Sequence, residues 1–478
     1  MSRPWLERLT ERANPIVVKE VRQGLRTRAF WIFFGLMLLS CLVISLVAFA
    51  VQAQSDSEPS GPATFAAYFV CLGLVQFLVI PYTAYRSLAR EREDETWALL
   101  TLTGLGPRRI LFGKLGSFVA QAALYGSAAG PFLVFSYYLN GIDLPTIGVV
   151  LVLGAAFQVF LSSVAVCAAT LAEQRVTRGL VHFGLLGLLL LATLYGLVAA
   201  VAVVSEGRSV LNEREFPVVA AFGLWAMLSY GVLLFEAAAS RLALPTENRA
   251  WGVRLAFLAQ CVVTAGAVAV FWVLDGKDPR VAVVAQAVFC VHLAVAGVFL
   301  ATDADGMPNR LRKGARFYSL FRPGASRAFR LVMATLVAST ALWGALYLSA
   351  DRSVDDHRFL TMVAAGAYLA LYLSAALLIS RLAPGTALRT PAGARLTFIA
   401  LVAVGAGLPP LVGALALKDA SANGLNLFNP VVGIDNFNDR HVSSDALLVL
   451  ASAAVVATLV ADRVLAWRDG LALAGARK

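Results

Sequence analysis

The stretch from Arg86 to Lys114 holds the densest set of residues able to do chemistry. Six charged residues run consecutively, Arg90-Glu91-Arg92-Glu93-Asp94-Glu95, and Thr96 follows them. After Thr103-Gly104-Leu105-Gly106-Pro107 come the cations Arg108, Arg109 and Lys114. Gly113-Lys114 has the end of a nucleotide phosphate loop but not its spacing. Residues 107–112 separate Gly106 from Gly113 where the loop needs four residues, and Leu115 stands where Ser or Thr must bind magnesium. The chemistry left is recognition by charge. Ser87 to Leu102 has no Gly or Pro and reads as a helix, which Gly104, Gly106 and Pro107 stop. Leu88, Trp97, Leu99 and Leu100 give it an apolar side, as in a helix lying on a membrane surface and offering mixed charge to a partner. A solvated loop helix without a partner has the same composition.

Other reactive residues are scattered. His182, His292, His357 and His441 are too dispersed in sequence for a metal set, and none is expected. No His-Glu-x-x-His, Gly-x-Ser-x-Gly or paired intramembrane Asp occurs. Cys41, Cys71, Cys167, Cys261 and Cys290 all fall in apolar runs and read as small fillers. Asp435, Asp439, Arg440 and His441 form one acid and base group in the 418–445 loop.

The elements that position these residues are set by hydropathy. Of 478 residues, 59% are hydrophobic and 14% charged, against about 25% charged in soluble proteins. A helix needs about 20 apolar residues to cross a bilayer, and backbone groups in lipid must bond within their own segment. The chain therefore reads as an all-α polytopic membrane protein of about twelve transmembrane helices. The spans are expected at 29–51, 65–85, 115–139, 147–171, 180–204, 216–239, 255–274, 281–301, 331–350, 359–380, 396–417 and 446–461. The first apolar run is too long, and the charged tail before it too long, for a signal peptide.

Charge then orients the spans. Of 40 Lys and Arg residues, all but Arg208, Arg214, Lys277, Arg280, Arg352, Arg358, Lys418 and Arg440 fall in the segments that share a side with the amino terminus. The positive-inside rule puts both termini in the cytoplasm. The net charge of +11 is thus a topology signal, and nucleic acid is not needed to explain it. On these boundaries no Lys or Arg lies within a span, and Glu236 is the one acid that does. That scarcity argues against a carrier driven by protons or sodium.

Asn14 and Pro15 start an amphipathic elbow helix before the first span. Val17, Val21 and Leu25 fall on one face and Lys19, Arg22 and Arg26 on another, for acyl chains and anionic head groups respectively. Gly126 and Gly130 give the third span a small-xxx-small face for close helix approach.

Two segments carry a family resemblance. Glu-Arg-Glu-Asp-Glu-Thr (91–96), Leu99-Leu100, Thr103-Gly104-Leu105-Gly106, Arg108-Arg109-Ile110 and Gly113-Lys114 resemble the first intracellular loop of type-2 (export) permease subunits of ATP-binding-cassette transporters. Glu95 stands where that pattern has Gly, and Gly104 where it often has Pro. Asn14 to Arg22, followed by Phe30-Trp31, is similar to the family's opening. The resemblance covers the first half of the chain.

It implies a permease subunit, not an enzyme, with a coupling helix within 86–114. A separate cytoplasmic ATPase would bind ATP and magnesium and dock on Glu91, Arg92, Glu93, Asp94, Glu95, Thr96, Arg108, Arg109 and Lys114. The permease would pair as a homodimer or with a related chain, in a bacterial cytoplasmic (inner) membrane. Spans 2 and 5 line the path in that family, which makes Gln76 and His182 pathway candidates. Residues 1–250 form the permease-like six-span unit, and 251–478 form a second six-span unit of unclear role. Two other classes stay open: a glycan or lipid-linked transferase or ligase working through the 418–445 loop, and a membrane scaffold.

Overall fold

The computed structural model describes residues 15–54, 60–93, 105–171, 175–244, 246–302, 319–350, 352–383, 387–417, 426–438 and 444–475. Every regular element among them is helical, and twelve helices are long and apolar enough to cross a membrane. The chain is a multi-pass helical membrane protein. It divides into two compact units, Met1–Ala243 and Leu244–Lys478.

Unit 1 opens with a short helix, α1 (Pro15–Leu25), whose proline occupies the first helical position. Six spanning helices follow: α2 (Arg28–Gln54), α3 (Gly61–Glu93), α4 (Pro107–Tyr138), α5 (Leu144–Leu171), α6 (Arg175–Glu206) and, after the five-residue α7 (Arg208–Asn212), α8 (Phe216–Leu242). The turn between α1 and α2 is held by local bonds. Thr27 Oγ1 accepts from Phe30 N at 3.3 Å, and the Trp31 indole donates to the Leu25 carbonyl at 2.8 Å. These satisfy groups that helix ends leave without partners. α5 is the hub, packing on α3, α6 and α8.

Unit 2 is built from α9 (Ala250–Leu274), α10 (Pro279–Ala301), α11 (Ala325–Leu348), α12 (His357–Leu382), α13 (Pro391–Val412), the short α14 (Val432–Asn438) and α15 (Ser444–Gly475). Asp278, Asp356 and Thr390 cap α10, α12 and α13 through their side-chain oxygens. α12 is the hub here, packing on α10, α11, α13 and α15.

The two units follow one plan. In each, the fourth spanning helix packs most extensively on the sixth. In each, a π-helical turn interrupts the second: Leu74–Val79 in α3 and Leu293–Gly297 in α10. A glutamine of that second helix bonds the third: Gln76 Nε2 to the Ala122 carbonyl at 3.3 Å, Gln286 Nε2 to Thr340 Oγ1 at 2.9 Å. An arginine near the start of the third pairs with an acid of the sixth: Arg108 with Glu236, Arg330 with Asp462.

Two expectations are revised. Ser87 does not begin a separate surface helix. Residues 87–93 are the last turns of α3, and 94–104 lie outside the described residues. At 33 residues, α3 is about 50 Å long and outruns a hydrocarbon layer of roughly 30 Å. The α4 helix begins at Pro107, eight residues before the apolar run. Arg86, Arg90, Arg92, Arg108, Arg109 and Lys114 therefore all belong to spanning helices. Second, of the glycine pair on α4, Gly126 meets α3, with an added Cβ 3.6 Å from Gln76 Nε2, but Gly130 faces open space within unit 1. Close approaches occur at Gly24, Gly73 and Gly196, where an added Cβ would stand 2.6 Å from Gln121, 2.6 Å from Leu197 and 2.8 Å from Phe157.

Arg254 anchors the strand-free segment before α11. It is 4% exposed. Its guanidinium donates to the carbonyls of Leu320, Arg322 (2.6 Å) and Gly324 (3.1 Å). A hydrogen bond to a charged donor contributes about 1.5–3 kcal/mol. Arg254→Met should therefore raise amide exchange across residues 320–328 by at least about tenfold in detergent. Unchanged exchange would show that other contacts hold the segment.

Candidate functional site

The buried ammonium of Lys114 is the centre of the charged band. Its side chain is 1% exposed. The Nζ donates to Glu91 Oε1 at 2.7 Å, Ser87 Oγ at 3.0 Å and Glu20 Oε1 at 3.2 Å. Those acceptors come from α3, α3 and α1. Three donors thus meet three acceptors, which is what an ammonium removed from water requires. Glu20 also lies 3.9 Å from the exposed Lys19.

The band continues on both sides. Arg92 Nη1 donates to the Ala169 carbonyl at 3.0 Å and fills an acceptor that the end of α5 leaves open. Arg178 Nη1 sits 3.7 Å from Glu93 Oε1, with both side chains well exposed. That pair contributes little. Arg108 Nε donates to both oxygens of Glu236, at 3.0 and 2.9 Å, and Nη2 lies 2.8 Å from Oε2. A forked guanidinium–carboxylate contact of this kind fixes orientation as well as distance. Glu236 is the acid that stands inside a predicted span, and Arg108 is its partner.

Among the residues expected to form a docking surface, the structure separates two groups. Glu91 and Lys114 turn inward and hold helices together. Glu93, Arg108 and Arg109 remain at the surface. Asp94, Glu95 and Thr96 lie outside the described residues.

Lys19, Arg22 and Arg26 form an exposed strip on α1. The opposite face of α1 lies against α4. Ile16 is buried there, and a Cβ at Gly116 would stand 3.3 Å from Val17 Cγ2. Protein therefore packs on the apolar side of this helix.

The pathway candidates have ordinary neighbours. Gln76 bonds the Ala122 carbonyl in the next helix. His182 is ringed by Tyr82, Tyr85 and Phe183, with centroids 5.5–5.7 Å away. In the 418–445 loop, residues 426–438 are pinned to the bundle. Asn429 Oδ1 accepts from Val431 N and Val432 N at 2.9 and 3.0 Å, capping α14. Tyr368 and Tyr372 donate to the carbonyls of Leu427 and Phe428. Asp439, Arg440 and His441 lie outside the described residues, as do residues 303–318 of the basic loop before α11.

Sequence reading alone missed Glu20 and Ser87 as partners of Lys114. Glu20 carried a signal, as the one acid among the cations of α1. No family model matches this chain, and no match is found among curated proteins or solved structures.

Breaking a buried ion pair from one side costs about 3–5 kcal/mol, whereas neutralising every member together is often close to neutral. Lys114→Met should lower stability by about that amount, read as thermal unfolding by tryptophan fluorescence in detergent. Adding Glu20→Gln and Glu91→Gln should restore more than half of the loss. A triple variant no more stable than Lys114→Met would show that the cluster is not what joins α1 to α3 and α4.

Proposed function

We propose that this chain is the membrane-spanning permease subunit of an ATP-binding-cassette transporter, working as an exporter and driven by a separate cytoplasmic ATPase. One observation supports this reading best. The segment with the coupling-loop resemblance, within residues 86–114, runs from the end of α3 to the start of α4, and the Lys114 cluster ties both of those helices to α1. A push on the segment would reach two spanning helices and the elbow helix together. Alternate packings of joined helices are a known route from a small local shift to a bundle-wide change. Glu93, Arg108 and Arg109 stay at the surface to receive a partner, while Glu91 and Lys114 carry the load inward. The apolar runs of the spans, in which Glu236 is the one charged residue, suit a lipidic, peptidic or otherwise apolar substrate. The membrane is that of a bacterial cell, with both chain ends in the cytoplasm. The shared plan of the two units lets one chain supply both six-span bundles, in place of a homodimer or heterodimer.

The test is co-purification. Glu93→Lys, Glu95→Lys and Arg109→Glu together reverse surface charge while sparing the Lys114 cluster. A tagged wild-type chain should bring down an ATPase, and the reversed chain should lose at least nine-tenths of it at unchanged yield and gel-filtration profile. Retention at wild-type stoichiometry would overturn the docking assignment. Light scattering of the wild-type complex should find one 50.8 kDa chain with its ATPases. Two chains would return the second bundle pair to a dimer partner.

A further inference from the structure

Beside the Lys114 cluster, unit 1 has a partly open cavity of about 580 Å3. That is within the range of roughly 300–1,000 Å3 seen for small-molecule sites. It is walled by α1, the first turns of α2, the latter part of α3 and the middle of α4. Phe30, Phe33, Ile80 and Phe118 are part of its apolar lining. Gln23, Thr27, Thr83, Gln121, Arg86 and Arg90 are part of its polar lining. Glu20 and Glu91 also line the space, but each gives an oxygen to Lys114.

The two arginines differ from Arg92, Arg108 and Lys114, each of which holds a partner. They are four residues apart and so share one face of α3. Both are exposed, and no hydrogen bond or ion pair engages either among the described residues. Two open guanidiniums one turn apart suit a phosphate group, which each can meet with a planar fork of donors. The apolar wall selects among phosphates. Between Ile80 and Arg86 the α3 helix passes from apolar to charged, as a helix does where it leaves hydrocarbon for head groups. A ligand here would meet cations at one end and aromatic rings at the other. That is the pattern of a phospholipid.

We infer that this cavity binds one anionic phospholipid, its phosphate on Arg86 and Arg90 and an acyl chain along Phe30, Phe33 and Phe118. The site rests on the membrane embedding of the chain and not on any ATPase partner. Lys19, Arg22 and Arg26 border a separate surface groove that shares only Gln23 with the cavity. They offer general attraction to anionic head groups, and they supply the control.

The experiment uses the delipidated full chain in neutral detergent, with phosphatidylglycerol, phosphatidylcholine and soluble glycerol phosphate as probes. Native mass spectrometry counts bound lipid, and thermal unfolding reports stabilisation. The wild type should retain one phosphatidylglycerol in at least tenfold preference to phosphatidylcholine. Arg86→Gln with Arg90→Gln should cut that affinity at least tenfold, and Arg86→Lys with Arg90→Lys should restore part of it. Lys19→Gln with Arg22→Gln should leave it within twofold. Three results would each overturn the assignment: equal loss in the Lys19 and Arg22 variant, which is diffuse charge attraction; equal stabilisation by glycerol phosphate, which is a soluble anion site; or full retention without Arg86 and Arg90.

Discussion

An ammonium with no water around it must be given acceptors, and that requirement shapes the end of unit 1. Lys114 cannot be buried unless two carboxylates and a hydroxyl converge on it. Glu91 and Ser87 reach it only if α3 stays helical past the apolar run, through Glu93. Glu20 reaches it only if α1 lies flat along α4. Gly24 and Gly116 allow that approach, since a side chain at Gly24 would collide with Gln121 and one at Gly116 would press on Val17. The position of α1 and the length of α3 both serve one satisfied cation.

Unit 2 meets a similar demand with different groups. Arg254 is buried near the start of α9 and takes backbone carbonyls as its acceptors, so it organises a segment of irregular chain. Arg330 and Asp462 join α11 to α15, and Asp469 accepts from both the backbone and the hydroxyl of Ser326. A guanidinium with divergent donors can gather several carbonyls, which an ammonium with a single nitrogen does less well.

The spans were legible because the bilayer leaves little choice. About 20 apolar residues in a row have one stable solution in lipid, and all twelve runs become long helices. Their ends were not legible. Beyond Tyr85 and before Leu115 the residues are charged, and charge in sequence looks like water. The structure puts acids from distant parts of the chain beside these cations, and the helices continue. Glu236 and Arg108 are 128 positions apart, and Lys114 and Glu20 are 94 apart. Spacing alone cannot join them. Gln76 was ambiguous for another reason. A glutamine in a span reads alike whether it faces a path or a neighbour, and here its partner is a backbone carbonyl that carries no sequence signal at all.

The same geometry decides how force could travel through unit 1. A flexible loop would absorb a push before it reached the membrane. Here the charged residues on either side of 94–106 are helical, and the Lys114, Arg108 and Arg92 contacts bind α3 and α4 to α1, α8 and α5. Further along, Leu74–Val79 widens into a π turn in the middle of α3. Such turns interrupt the regular ladder without breaking the helix, and they are frequent at functional sites. Phe77, in that turn, is 1% exposed and packs on Phe69 and Phe157. The braced charged end and the aromatic π turn are thus parts of one helix, with the Lys114 cluster near its end and Phe77 packed within the bundle.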